Sequence, residues 1–159
     1  GVLPAPGLGV PWRGAEGLGA PRHARGAESG ERCTLGRAEV LRDALVATGF
    51  PYDRATSEEN NVREAARIVT RIRGIRRCGS AAIDLCLVAD GTYDAYWEQK
   101  LAPWDLCAGA AIVRAAGGQL SDYEGGAIDL DVGRVVASNG RVHEALRAEI
   151  LAARRAPHP

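Results

Sequence analysis

The sequence predicts an α/β layered sandwich. Two observations carry that prediction. Strand-like apolar runs alternate with helically spaced ones from about residue 36 onward, and glycines or Asp-Gly pairs close the helical runs. Composition agrees: 46% hydrophobic and 25% charged residues over 159 positions are ordinary for a globular chain of one domain, typically ~100–150 residues.

Residues 1–35 are read as an irregular Gly/Pro-rich segment with short strands at about 1–3 and 10–13. Gly7-Leu8-Gly9 has no third glycine at the phosphate-loop spacing, so turns are expected there. The polar stretch Pro21–Arg32 is unpatterned and expected to be mobile. Residues 36–153 are read as the α/β substrate-binding domain. It opens with a strand at 44–48, ended by Gly49-Phe50-Pro51. Thr56 and Glu59 have capping-box spacing, and Val62, Ala65, Ala66, Val69 and Ile72 follow on one helical face. That predicts a helix over 57–73, stopped by Gly74, then a short strand at 75–77.

Gly79-Ser80 opens a second helix with Ala82, Ile83, Cys86, Leu87 and Ala89 available for burial. Asp90-Gly91 stops it, and 93–98 alternates as a strand. Pro103-Trp104-Asp105 starts a third helix over 105–116, closed by Gly117-Gly118. Strands are expected at 119–121 and 134–137. Ser138-Asn139 caps a last helix at 140–153, and 154–159 is expected to be a frayed tail.

Charge excludes several functions. The 20 basic and 20 acidic residues cancel, which argues against a nucleic-acid-coating surface. No apolar run approaches the ~18 residues that span a bilayer, so no membrane partner is expected. Cys33, Cys78, Cys86 and Cys107 show no C-x-x-C spacing and the three histidines are scattered, so a structural zinc site is not expected. Cys86 and Cys107 read as small buried hydrophobes. Nothing requires an oxidising compartment, and a cytoplasmic location is expected. The chain has no Met and begins Gly1-Val2-Leu3, which reads as part of something longer.

Three features stand apart from packing. Cys78-Gly79-Ser80-Ala81 lies at a helix start, where free N–H groups and small side chains let a polar ligand approach the backbone; a plain serine cap is the alternative. Glu98 closes the aromatic strand end Tyr96-Trp97. It is either an acceptor for polyol hydroxyls or a solvated strand-end acid. Asp105 can cap its helix or offer oxygens to Mg²⁺, although one Asp is not a metal site. Asp90-Gly91-Thr92 looks like a phosphatase metal motif but falls in a helix-to-strand turn.

Taken together these segments resemble the inositol monophosphatase family. The resemblance runs through Arg76-Arg77-Cys78-Gly79-Ser80-Ala81-Ala82-Ile83-Asp84-Leu85-Cys86, Val88-Ala89, Gly91, Asp94, Tyr96 and Glu98. It continues in Pro103-Trp104-Asp105, Ala108-Gly109, Ile112-Val113 and Ala115-Ala116-Gly117-Gly118, the family's C-terminal signature. Thr48–Asp53, the opening Gly1-Val2-Leu3-x-x-Pro6 and the hairpin-like 15–20 are also similar. The resemblance is strong over about 36–152 and looser before that.

The resemblance implies the C-terminal half of that fold and Mg²⁺-dependent hydrolysis of inositol monophosphate or a similar sugar or polyol phosphate monoester. It implies that Asp105 is catalytic, a metal ligand and a substrate contact. Gly79, Ser80, Ala81 and Glu98 would bind substrate. Family members are often homodimers, so a homodimer is a further expectation.

One departure is large. The family's upstream metal ligands sit on a Glu and on an Asp-Pro-x-Asp-Gly-Thr segment, and this sequence contains no Asp-Pro. The chain is therefore expected to be a fragment that is inactive alone, because a lone Asp holds Mg²⁺ weakly. Two alternatives stay open: a non-catalytic truncated module acting through dimerisation, and a family branch acting on nucleotide or sugar bisphosphates.

Overall fold

The computed structural model describes residues 1–5, 9–15, 17–23 and 29–155. Its elements stack in four layers. The first is an antiparallel sheet of β1 (Val2–Ala5), β2 (Val10–Arg13), β3 (Pro21–Arg22) and β4 (Glu31–Arg32), in that order. Short strands expected in the first 35 residues are present, and they pair into one sheet. The polar stretch expected to be mobile contributes β3 and β4, while residues 24–28 lie outside the described residues.

The second layer is the helix pair α2 (Ala81–Ala89) and α3 (Pro103–Ala115). A β-carbon on Gly109 would lie 2.6 Å from Leu85 Cβ, so the two helices approach where α3 has no side chain. The first sheet rests on them: Trp12 is buried and donates from Nε1 to Asp90 Oδ2 at 3.2 Å.

The third layer is a mixed sheet ordered β6 (Gly74–Arg76), β5 (Leu45–Thr48), β7 (Ala95–Glu98), β9 (Val135–Ser138) and β8 (Gln119–Ser121). β5 runs parallel to β6 and β7; β9 is antiparallel to β7 and β8. Its strands are apolar on both faces because both are covered. Ala47, Tyr96 and Ala137 join the core against α2 and α3. Val46, Ala95, Trp97 and Val136 join the core on the other side. The fourth layer, α1 (Val62–Ile68) and α4 (His143–Arg155), closes that second core through Ile68, Leu146 and Ile150.

Five expectations need correction. The helix expected over 57–73 is only Val62–Ile68. Asn61 precedes it with φ 67, a left-handed conformation that interrupts helix. Asn61 is held there by burial: Nδ2 donates to Thr48 Oγ1 (2.8 Å) and Gly49 O (2.6 Å), and Trp97 Nε1 donates to Oδ1 (2.7 Å). Thr56 caps nothing; its hydroxyl bonds Asp53 O. The helix is also rotated, since Ile68 and Glu64 are buried while Val62 and Val69 are exposed. Cys107 is exposed rather than buried, whereas Cys86 is buried as expected. Finally, α4 continues through Arg155, and Arg154 is pinned by Glu59 and Glu64 rather than frayed. Residues 156–159 lie outside the described residues.

Candidate functional site

Gly79, Ser80, Ala81, Glu98 and Asp105 all line one cavity of about 200 Å³. They come from three places: the turn into α2, the end of β7 and the first turn of α3. Both α2 and α3 present their N-termini to this space, so two sets of unpaired N–H groups and two positive dipole ends converge on it. Such ends favour anions.

Each local choice has a physical cause. Gly79 holds φ +83, and a β-carbon there would meet nothing within 4 Å. Conformation rather than crowding therefore selects glycine and leaves the backbone bare. Ser80 occupies the N-cap position of α2 but makes no side-chain cap bond. The plain-cap alternative therefore fails, and the hydroxyl remains available to the cavity.

Glu98 is half-buried and accepts a hydrogen bond from the Tyr96 hydroxyl, two residues earlier on the same face of β7. Burial raises its pKa, while the Tyr96 bond and the Arg77 charge oppose the rise. It is not simply a solvated strand-end acid. Asp105 does cap its helix, accepting from Ala102 N–H through Oδ2 at 3.1 Å. Its second carboxylate oxygen is not needed for that bond.

Sequence reasoning missed several lining residues. Asp84 stands one turn into α2, 1% exposed, with Oδ1 lacking any partner. Burial pushes its carboxyl up to about 7, against hydrogen bonds from Cys78 that lower it. The pattern gives no signal, because an Asp at a helix's fourth position reads as a solvated first-turn acid. Arg77 and Lys100 add cationic groups to the lining. Arg77 lies over the Phe50 ring at 5.4 Å. Lys100 Nζ donates to Asp53 Oδ2 (2.7 Å) and Ser57 Oγ (2.8 Å), tying the 51–57 loop to the end of β7. Asp90-Gly91-Thr92 takes no part: Asp90 Oδ1 accepts from Thr92 N–H and hydroxyl in a local turn.

The donor set does not complete a metal site. Among the described residues no group of three or more His, Cys, Asp or Glu could hold an ion. Mg²⁺ wants near-octahedral oxygen coordination, and Asp105 offers part of one carboxylate.

The arrangement is therefore a small, partly cationic, anion-favouring cavity with carboxylates at hydroxyl-accepting positions. A family model, the inositol monophosphatase family, matches residues 1–156. The chain belongs to the inositol monophosphatase family. It is similar to an inositol-1-monophosphatase from Synechocystis, 40% identical over 141 residues, covering 89% of this chain and 47% of that protein. It is 38% identical over 133 residues to the Nus factor SuhB of Pseudomonas aeruginosa, covering 82% of this chain and 49% of that protein. In three dimensions it superposes on an inositol monophosphatase from Anabaena with a TM-score of 0.83 at 36% identity, over 90% of this chain and 54% of that one. The chain spans about half the length of the curated relatives it matches. No described helix is long and apolar enough to cross a membrane.

Proposed function

We propose that this chain supplies the substrate-recognising part of a Mg²⁺-dependent phosphatase that hydrolyses inositol monophosphate or a similar sugar or polyol phosphate monoester. The observation that supports this most is the convergence of Gly79, Ser80, Ala81, Glu98 and Asp105 on one cavity under two helix N-termini. Glu98 accepts hydrogen bonds from ring hydroxyls, held in direction by Tyr96. The Gly79–Ala81 backbone and the Ser80 hydroxyl line the other side of the ring. Asp105 offers one oxygen to a hydroxyl or to the metal.

Mg²⁺ would polarise the phosphate and lower the pKa of a bound water. Asp105 is the residue of this chain that helps to hold it, and the remaining ligands must come from other residues of the whole enzyme. The isolated chain is accordingly inert. A cytoplasmic site of action goes with this reading, since nothing in it needs an oxidising compartment.

The test is Mg²⁺-dependent phosphate release from inositol 1-phosphate, by this chain and by a longer form carrying the missing ligands. Activity is expected only in the longer form and is lost in Asp105→Asn. Turnover by the short chain, abolished by Asp105→Asn, would overturn the inert-fragment reading. Faster turnover of nucleotide or sugar bisphosphates across a substrate panel would favour that branch of the family.

A second reading has one observation behind it. Val62, Ala65, Val69, Phe50 and Ile75 line an apolar groove of about 570 Å³ beside the edge strand β6. Exposed apolar grooves of this kind suit a second protein surface. A homodimer through this face, with or without catalysis, predicts that Val69→Glu converts a dimer to a monomer by light scattering.

A further inference from the structure

We propose a second anion site, distinct from the substrate cavity, at the opposite end of α3. Its walls are the arginines 32, 37 and 141. They line one cavity of about 370 Å³ that also holds Thr34 and the backbone of Gly36. Arg32 is shared with an adjoining open cavity of about 760 Å³, whose wall adds Arg114. Among the described residues, neither lining contains a carboxylate.

The clustering is informative because the chain as a whole is neutral, with 20 basic and 20 acidic residues. Several arginines elsewhere are matched, among them Arg22 with Asp90, Arg67 and Arg71 with Glu149, and Arg134 and Arg154 with Glu59. Among the described residues, none of the four arginines at these cavities pairs with a carboxylate. Four like charges gathered without counter-ions repel one another, and a bound polyanion removes that repulsion.

The smaller cavity is also held in shape. Asn139 Nδ2 donates to Gly36 O (3.2 Å) and Ala38 O (2.9 Å), fastening the 36–38 loop to the end of β9. Arg141 Nη1 donates to Arg37 O at 3.3 Å, which sets two of the arginines on one rim. A buried acid, Asp94, lies behind Gly36 and is engaged by the N–H groups of Ala38 (3.1 Å) and Leu45 (2.9 Å). Asn139 Oδ1 accepts from Arg141 N–H (3.0 Å) where the chain enters α4, which fixes the Arg141 backbone at the edge of the cavity.

The site does not overlap the substrate cavity. The two linings share no residue, and Asp105 and Ala116 lie at opposite ends of α3, about 16 Å apart at 1.5 Å rise per residue. Planar guanidinium groups pair with phosphate oxygens in bidentate fashion. The ligand class is a small anion carrying two or more linked phosphates, long enough to touch Arg32 and the Arg37–Arg141 rim together.

Inorganic pyrophosphate is the probe. Calorimetric titration in EDTA and about 0.15 M salt, where screening removes diffuse attraction, is expected to show one saturable site. Arg37→Ala/Arg141→Ala should weaken it at least tenfold, Arg32→Gln should weaken it independently, and Arg77→Ala, in the other cavity, should leave it unchanged. All four arginines are exposed, so unfolding is checked by an unchanged melting temperature. No saturable binding, or binding insensitive to the arginine variants, overturns the proposal. Loss of binding in Arg77→Ala, which removes a cation from the other cavity, would assign the pyrophosphate to that cavity and also overturn it.

Discussion

Gly49 and Glu98 stand so close that a β-carbon on residue 49 would lie 2.1 Å from Glu98 Oε1 and 2.2 Å from Oε2. The end of β5 is thus shaped to leave room for the carboxylate at the end of β7. A methyl group there moves the flexible carboxylate before it moves any backbone, and the swing breaks the Tyr96–Glu98 bond. In the metal-loaded full enzyme, Gly49→Ala is expected to raise KM for inositol 1-phosphate about tenfold, equivalent to about 1.4 kcal/mol. The melting temperature should fall by only a few degrees. An unchanged KM would show that Glu98 does not contact the polyol.

Asp84 makes stability depend on pH with a definite sign. Its folded pKa of about 7 lies above the ordinary 3.8, because burial disfavours the anion. The proton is held more tightly in the folded state. That contribution is full below pH 3.8 and is lost as pH rises to about 7. Asp84→Asn removes the dependence. Between pH 5 and pH 8 the wild type should lose roughly 3 kcal/mol relative to the variant, at ~1.4 kcal/mol per pH unit below the folded pKa. Urea unfolding at the two pH values measures it, and parallel losses in both proteins would contradict the assignment.

His143 shows the reverse sign. Its ring is fully buried, with Ser121 Oγ at 2.9 Å from Nε2 and Ser138 Oγ at 2.9 Å from Nδ1. Burial lowers its pKa from 6.5. The neutral ring therefore stabilises the fold above about pH 6.5, and that stabilisation is lost as pH falls below it. His143→Leu removes one partner from each of two buried hydroxyls, leaving Ser121 bonded to Asp122 O and Ser138 to Gly140 N–H, at a cost of roughly 1–3 kcal/mol near neutral pH. The variant should also lose this acid-side decline, as thermal melts from pH 7 to pH 5 would register.

Arg154 links the last helix to the cavity lined by Gly79, Glu98 and Asp105. It donates to buried Glu64 Oε1 at 3.0 Å and to Gln99 Oε1 at 3.1 Å, with Glu59 at 2.7 Å. Gln99 lines the cavity, and the guanidinium lies over the Tyr123 ring at 5.6 Å. Arg154→Met strands Glu64 as a buried unpaired charge and should cost about 3–5 kcal/mol in denaturant unfolding. Adding Glu64→Gln should recover part of that loss. Full additivity of the two changes would show that the pair is not coupled.

Much of the fold is legible because its signals are local. Gly91 and Gly117 stop helices where a left-handed residue is needed, with φ +79 and +88. Strands β5, β7, β8 and β9 stand where apolar runs predict them. The start of α1 is not legible. Thr56 and Glu59 form a good capping pattern, yet Asn61 is claimed by Thr48, Gly49 and Trp97, residues distant in sequence. Cys107 misleads for a related reason: its neighbours are apolar, but helical rotation turns it outward.

By itself the sequence determined the alternation of strands and helices, the family resemblance, and Gly79, Ser80, Ala81, Glu98 and Asp105 as candidates. These rest on residue type and spacing along the chain, which need no knowledge of neighbours in space. Only the tertiary structure decided that the five share one cavity, that Asp84 is buried there beside them, and that Glu98 is aimed by Tyr96 past a glycine. It also decided that Arg32, Arg37, Arg114 and Arg141 gather on adjoining cavities. Convergence, burial and charge proximity are properties of packed layers, and they arise only when segments far apart in the chain are brought together.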